Sequence, residues 1–281
     1  MSRCLVAVLA IAPALANADC SLRSDYEASE NWLADGGDLT DAVSPATRKG
    51  EPSSPELVGP AQRLAKDSAG SFPSDIYSEP KAVDPDTLAN LGPLRRMAGV
   101  WLGVKGKDEH PVAGGTEDSA FVERVELQPI DPQLNGPQLL YGLRYHVHIV
   151  KPGEVATFHD QVGYWLWEPA TKTIIQSLAI PRAEIAMAAG KAEPNANEFE
   201  LTAVLGAENF GICSSPLLQA AFRTVEFRIH VKFHPDGTWS YEEDTILAIR
   251  GRDGLFHHRD RNTLTKVGEP TPNPLALARA R

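Results

Sequence analysis

Histidines are the residues of this sequence whose type and spacing point most clearly to chemistry, and two of the eight, His257 and His258, are adjacent. Neighbouring residues of a strand point to opposite faces. One alternating set holds Phe256, His258, Asp260, Asn262 and Leu264, and the other holds Leu255, His257, Arg259, Arg261, Thr263 and Thr265. The arginines mark the second set as the outer face, so we predict that His258 points inward. An inward imidazole could bind haem iron, and Asp260 could fix its tautomer; a histidine satisfied within a buried polar network is the alternative.

The other candidate side chains have weaker signals. His159 belongs to an alternating set of mixed character, which leaves open whether it faces a pocket or solvent. Trp101, between Gly99 and Gly103, is typical of an indole that packs at a strand end. The remaining histidines are predicted to be exposed, either among charged neighbours (His146, His148, His230 and His234) or in a Gly/Pro-rich loop (His110). The acids of Glu242–Asp244 alternate between faces, which argues against a catalytic cluster, and no nucleophile elbow, P-loop or HExxH motif occurs.

The elements that must position these side chains read as strands with a period of two. Val225, Phe227, Ile229, Val231 and Phe233 form one apolar set, and Tyr141, Leu143, Tyr145, Val147 and Ile149 form another. Counting similar segments from Val100 to Val267, about ten strands follow one another with short turns and no intervening helices. Such a meander hides its edges by closing. We therefore predict an all-β fold, a closed antiparallel up-and-down β-barrel of the lipocalin or fatty-acid-binding-protein type with a pocket for a ligand inside.

The rest of the chain differs in character from the barrel. Residues 1–18 are predicted to be a signal peptide, because an apolar run precedes small residues that suit cleavage, and this favours export to the periplasm or outside the cell. A cytoplasmic location follows if the start is misassigned. Residues 19–85 lack any period and read as a linker or disordered segment. The barrel domain is placed at 86–268, opening with a short helix that spaces Leu88, Leu91, Leu94 and Met97 on one face, and 269–281 is a C-terminal tail.

The charge of the chain and the length of its N-terminal apolar run argue against nucleic acid and a membrane span. The net charge is −10 with a pI near 5.3 and without a Lys/Arg run, which disfavours nucleic acid, since phosphate binding needs clustered cations. The N-terminal apolar run is shorter than the roughly 20 residues of a membrane span.

Cys20 and Cys213 remain after the leader. Two free thiols are the simpler interpretation, and a disulfide would suit an exported protein.

Four blocks of sequence, in order, resemble the nitrobindin family of haem-binding β-barrels. They are Gly99-Val100-Trp101-Leu102-Gly103, Phe158-His159-Asp160-Gln161-Val162-Gly163-Tyr164-Trp165, Ala179-Ile180-Pro181-Arg182-Ala183-Glu184-Ile185, and Phe256-His257-His258 running on to Asn262-Thr263-Leu264. The resemblance covers roughly Leu91 to Val267 and implies a ten-stranded barrel that holds haem b. It places the axial iron ligand at His258, or at His257 if the alignment moves by one residue. Thr116 is the loose counterpart of a family threonine near haem, and His159 and Trp101 fall in motif positions.

The same resemblance implies isomerisation of peroxynitrite to nitrate and binding of nitric oxide, chemistry in which ferric iron acts as a Lewis acid. A non-enzymatic carrier of a small hydrophobic ligand is the alternative, with His258, Asp260 and Asn262 as a structural network. A third interpretation is an interaction module tethered by residues 19–84. The partner expected in the first two cases is haem or another small molecule, and the oligomeric state is left open.

Overall fold

The computed structural model of the chain describes residues 75–279, and twelve strands and four short helices lie within them. The strands are β1 Gly99–Val112, β2 Gly115–Pro129, β3 Gln133–Asn135, β4 Gln138–Val150, β5 Thr157–Glu168, β6 Thr173–Ile180, β7 Glu184–Lys191, β8 Glu198–Leu205, β9 Gly211–Ser214, β10 Phe222–Phe233, β11 Trp239–Ile249 and β12 Phe256–Gly268. The helices are α1 Thr87–Asn90, a 3-10 helix Gly92–Met97, α2 Pro216–Ala221 and α3 Pro274–Arg279. The all-β prediction is confirmed.

The strands form a closed barrel. Hydrogen-bonded neighbours run β2-β1-β12-β11-β10-β8-β9-β7-β6-β5-β4, and a pairing of β2 with β4 closes the ring. Strand β9 lies between β7 and β8, which also touch directly through Ala189 and Thr202, and β3 pairs with β4 outside the ring. The predicted meander of about ten strands is thus confirmed, with β3 and β9 added. Both are four residues or shorter, too short to show an alternating pattern.

One end of the barrel, here called the closed end, is covered by the segment before β1. The Asp86 side chain caps α1 by accepting a hydrogen bond from the Ala89 N–H at 3.2 Å. The sequence predicts one continuous helix here, and the structure breaks it in two. The reason is Gly92, whose φ of +55° ends α1 and whose missing Cβ leaves room for the Trp167 ring. The predicted apolar face survives the break, since Leu91, Leu94 and Met97 are fully buried.

The interior is filled by the alternating sets of the strands, and the predicted inward set of β4 is confirmed: Tyr141, Leu143, Tyr145, Val147 and Ile149 lie in the core or line the space within it. The predicted set of β10 needs one correction. A register shift between Thr224 and Glu226 displaces the alternation, so that Thr224 is buried and Val225 is only partly covered. A bulge of this kind adds one residue to a strand and reverses its faces.

Residues after β12 pack back against the start of the described chain. Asn273 is buried, accepts a hydrogen bond from the Thr87 N–H at 3.1 Å and donates to Asp131 at 2.7 Å. The described part of the predicted C-terminal tail is therefore anchored to the closed end. The predicted signal peptide, most of the predicted linker and Cys20 lie outside the described residues, so the disulfide with Cys213 stays a prediction.

Among the helices in residues 75–279, none has the length and apolar character that crossing a membrane requires.

Candidate functional site

A cavity of about 460 Å³ lies inside the barrel, within the roughly 300–1,000 Å³ range of small-molecule sites. Its walls are mostly apolar and include Phe121, Val125, Leu127, Val147, Ile149, Trp165, Leu178, Ile180, Phe227, Ile229 and Leu247. The end opposite the closed end, here called the mouth, contains the start of β12 and the β6–β7 turn. The polar lining residues fall into two groups, one near the mouth and one deeper.

Near the mouth, four side chains form what we call the mouth cluster: Asp108, His110, His258 and Asp260. The His258 Nε2 lies 2.7 Å from Asp108 Oδ1 and 3.4 Å from Asp260 Oδ2. The other Asp108 oxygen, Oδ2, lies 2.6 Å from His110 Nδ1. Asp108 therefore joins two imidazoles, and it is itself only 3% exposed.

The mouth cluster has an uneven distribution of protons. Burial alone would raise the pKa of Asp108, but hydrogen bonds from His258 and Asp260 hold it below its usual value. Burial alone would lower the pKa of His258, but the hydrogen bond to Asp108 and the charge of that carboxylate raise it. Burial keeps the pKa of Asp260 well above its usual value, although the charge of His258 opposes this. The arrangement favours an Asp108 carboxylate beside a His258 imidazolium, with Asp260 protonated.

A bulge in β1 brings the cluster together. The pairing of β1 with β12 shifts between Leu102 and Lys107, so the inward set changes from odd to even numbers along β1. After the shift Asp108 pairs with Asp260 and faces the cavity with His110.

His159 lines the cavity from β5 and differs from His258 in charge. Burial lowers the pKa of His159, which favours the neutral imidazole at pH 7. Its Nε2 lies 3.3 Å from Gln161 Oε1, so Nε2 carries the proton in that contact. Nδ1 then holds the lone pair that a metal would need.

Deeper in the cavity, Glu123, Tyr145, Gln161, Gln176, Tyr241 and Glu243 form what we call the middle layer. Glu123 is 2% exposed, and its Oε2 accepts hydrogen bonds from Tyr241 Oη and Asn262 Nδ2, each at 2.9 Å. Burial raises the pKa of Glu123 to about 7 in spite of those two bonds. Burial and the charge of Glu123 raise the pKa of Glu243 to about 8. Within residues 75–279, no cation lies beside either carboxyl to favour ionisation.

On the opposite wall, the middle layer consists of amides around a phenol. Gln161 and Gln176 both donate through Nε2 to Tyr145 Oη, at 2.7 and 3.3 Å. Burial raises the pKa of Tyr145 above its usual value, so this group is a neutral hydrogen-bonding partner. Two buried polar atoms that line the cavity have no hydrogen-bond partner among the described residues, Gln176 Oε1 and Trp239 Nε1.

The structure separates the five predicted site residues. His258 and His159 both line the cavity, His258 as the alternation of β12 predicts. His257 points outward, with Nδ1 at 2.8 Å from Asp244 Oδ2. Trp101 is buried at the closed end, where its Nε1 donates to the Met97 carbonyl at 2.7 Å. Thr116 is exposed at the start of β2 and does not line the cavity.

The prediction for His110 is wrong. It lies within β1 rather than in a loop, is partly covered and lines the cavity. The pair Asp108 and His110 has the two-residue spacing of one strand face, but the apolar alternation stops at Gly106 and gives no sign that the strand continues. The sequence also places Glu123 on an inward face, because it alternates with the apolar residues Phe121 and Val125 along β2.

Comparison with known proteins identifies the family of the barrel through a family model. The chain is similar over 66% of its length to the crystal structure of Rv2717c from M. tuberculosis, covering 99% of that chain, with 19% sequence identity and a TM-score of 0.45. No curated protein matches the sequence. The family model "THAP4-like, heme-binding beta-barrel domain" matches residues 90–266, more than half of the chain. This match confirms the resemblance carried by the four sequence blocks, and the chain belongs to the THAP4-like heme-binding β-barrel family.

Proposed function

We propose that this barrel binds haem b in its cavity with His258 as the iron ligand, and that the bound haem converts peroxynitrite to nitrate and binds nitric oxide. The observation that carries the proposal is the position of His258, an imidazole on the wall of an apolar cavity in a chain of a heme-binding family. Neutral imidazole nitrogen is the commonest protein ligand of haem iron.

The lining of the cavity fits such a group in three respects. The walls are apolar and aromatic over most of the surface, which suits a flat hydrophobic macrocycle. A second imidazole, His159, lines the same cavity and is held in the neutral form. Gln176 Oε1 and Trp239 Nε1 are buried without partners in residues 75–279, and such atoms indicate that something polar completes the interior.

Asp108 sets the condition for iron binding at His258. The Nε2 that would bind iron is the atom that contacts Asp108, and the raised pKa of His258 favours its protonated form. Ligation therefore requires His258 to lose a proton and to leave Asp108. The Asp108 carboxylate would still have a partner after His258 moves away, because it keeps its contact with His110. Asp108 would therefore compete with iron for the Nε2 of His258.

Ferric haem, when bound, supplies a Lewis-acidic centre for a peroxy anion. The protein supplies the surroundings. Apolar walls exclude water from the reacting anion. The neutral amides and phenol of Tyr145, Gln161 and Gln176 offer hydrogen bonds without adding charge. Isomerisation to nitrate rearranges the same atoms, so no net proton has to enter or leave.

One observation favours a second function, that of a carrier for a small hydrophobic ligand. In this alternative the contact between His258 and Asp108 is permanent, and the mouth cluster is a structural network. Haem would then not be held by an imidazole, and apolar ligands would bind regardless of the residue at position 258.

Stopped-flow decay of peroxynitrite tests the proposal on the full chain loaded with haemin. The expected result is decay that accelerates in proportion to bound haem, with a nitric oxide complex visible by absorbance, and loss of both in His258→Ala. Decay no faster than with the same concentration of free haemin would contradict the enzymatic part. Binding of an apolar fluorescent probe that His258→Ala leaves unchanged, together with no uptake of haemin, would favour the carrier.

A further inference from the structure

The middle layer contains hydrogen-bond acceptors that the protein leaves unused. Gln176 lines the cavity and is 1% exposed, and its buried Oε1 has no partner among the described residues. Glu123 uses only Oε2 for its two bonds. Glu243 lines the same space from β11, and none of the hydrogen bonds within residues 75–279 involves its carboxyl. A buried polar atom left without a partner destabilises the fold, which makes a ligand or water the expected partner.

The charge around these atoms has one sign. The cavity lining contains five carboxyl groups but only one lysine or arginine among the described residues, Arg182. Arg182 lies at the mouth, in the β6–β7 turn, where its Nη2 donates to the Phe158 carbonyl at 3.1 Å. The cationic side of the mouth cluster, His258, is bonded to Asp108. The middle layer is therefore rich in acceptors and carboxyls and has no cation of its own.

We propose that the middle layer is a head-group subsite for an amine, and that the cavity takes small apolar molecules that carry an amino group at one end. An ammonium group has three donors and no acceptor, which matches Gln176 Oε1 and the two carboxyl groups. The apolar walls between the middle layer and the mouth hold the alkyl or aryl part. When the ammonium group binds, Glu123 and Glu243 lose their protons, and the resulting carboxylates lie beside the positive charge of the ligand.

Other head groups suit the subsite less well. A carboxylate would face two carboxyl groups with no cation to offset the repulsion. An alcohol can donate one hydrogen bond, which leaves at least one acceptor without a partner. The order expected from the chemistry is amine, then alcohol, then carboxylate.

The proposal does not depend on haem. Amine and haemin would share the cavity, and each should weaken binding of the other. A barrel that takes up no haem can still select amines, and one that binds haem can fail to do so, so the two proposals can fail separately.

Isothermal titration calorimetry of the full chain at pH 7 with nonylamine, 1-nonanol and nonanoic acid tests the selection. The expected result is a Kd for nonylamine at least tenfold below that for nonanoic acid, a difference of about 1.4 kcal/mol. Glu243→Gln keeps the shape of the side chain but removes its charge, and the preference should fall to threefold or less. Glu123→Gln should act in the same direction.

Glu242→Gln is the matched control. It removes the same charge from the adjacent position of β11, where the side chain is exposed on the outer face. It should leave the preference unchanged, and the circular dichroism spectrum of each variant reports whether the barrel has folded. Equal affinity for amine and acid, absence of binding by nonylamine, or a preference that survives in folded Glu243→Gln would each overturn the proposal.

Discussion

Strand β12 places two adjacent histidines in opposite environments, and each lies within 3 Å of one aspartate. Inside the barrel, His258 lies 2.7 Å from Asp108, and their side chains are 25% and 2% exposed. On the outer face, His257 lies 2.8 Å from Asp244, and their side chains are 42% and 24% exposed. The residue types and distances are nearly the same. The two pairs differ in their contact with water, and the inner pair also contacts His110 through Asp108 and Asp260 through His258.

The difference shows how burial decides what a His–Asp pair can do. Water screens the outer pair, and exposed pairs of this kind contribute little stability. The inner pair is shielded, which makes loss of one partner costly and holds the two groups in a defined state of protonation. A metal or ligand that binds the His258 imidazole must displace Asp108. His257 points away from the cavity, so a ligand in the cavity does not reach it.

The largest expected effect is the loss of stability in Asp108→Asn. The substitution leaves His258 and His110 without their shared carboxylate, and we expect the free energy of unfolding at pH 6 to fall by about 2–3 kcal/mol. Asp244→Asn should cost less than about 1 kcal/mol. Urea unfolding of both variants measures the contrast, and equal losses would contradict the difference between the two faces.

The same experiment has a pH dependence with a defined sign. The pKa of His258 is raised above its ordinary value of 6.5, so the stabilisation by the inner pair is fully present below pH 6.5 and is lost as the pH rises through the folded pKa. The pKa of Asp108 is lowered from 3.8, so the stabilisation is present above pH 3.8 and is lost again as the pH falls through the lower folded pKa. The cost of Asp108→Asn should therefore shrink at alkaline pH.

A second test concerns the interior face of β12 below the mouth. A Cβ at Gly103 would collide with the Asn262 amide, which donates to Glu123 and accepts from the Thr263 N–H. Gly103→Ala should destabilise the barrel by about 1–3 kcal/mol through overpacking. Gly115→Ala is the control, since its Cβ would meet no atom within 4 Å, and thermal unfolding should separate the two. A Gly103→Ala protein as stable as the control would show that Asn262 is not held in place.

A third test concerns Glu123 and Glu243, the two interior carboxyls that have no cationic partner within residues 75–279. Burial raises the pKa values of Glu123 and Glu243 from 4.5 to about 7 and about 8. Their contribution to stability is therefore fully present below pH 4.5 and is lost as the pH rises through those values. Each proton changes the slope of unfolding free energy by at most about 1.4 kcal/mol per pH unit.

Glu243→Gln should flatten this decline between pH 6 and 8.5, and Glu242→Gln should not, because Glu242 is exposed on the outer face. Urea unfolding across that pH range checks the slopes. An identical slope in Glu243→Gln and the unmodified chain would mean that Glu243 is ionised throughout.

The barrel could be predicted from the sequence because long strands repeat an inward and outward alternation many times. His258 was placed inside by that alternation alone, since the arginines beside His257 mark the outer face. Strands β3 and β9 were missed because three or four residues cannot show a period. The broken helix was missed because the positive φ of Gly92 depends on its contact with Trp167, a residue far along the chain.

The other half of the mouth cluster, Asp108 and His110, and the middle layer were missed for a different physical reason. Bulges reverse the faces of a strand, and those in β1 and β10 hid His110 and Thr224 from a simple alternation. The partnership of Asp108 with His258 spans 150 residues of sequence. Only the register of β1 against β12 brings them together, and single-sequence patterns do not contain that register.

Haemin titration of the full chain, followed by absorbance, tests the central claim most directly. His258→Ala and His257→Ala remove adjacent imidazoles of one strand, one inside the barrel and one outside. We expect a saturable Soret shift in the unmodified protein and in His257→Ala, and its loss in folded His258→Ala. A shift that persists in His258→Ala, or that disappears in His257→Ala instead, would contradict the assignment of His258 as the iron ligand.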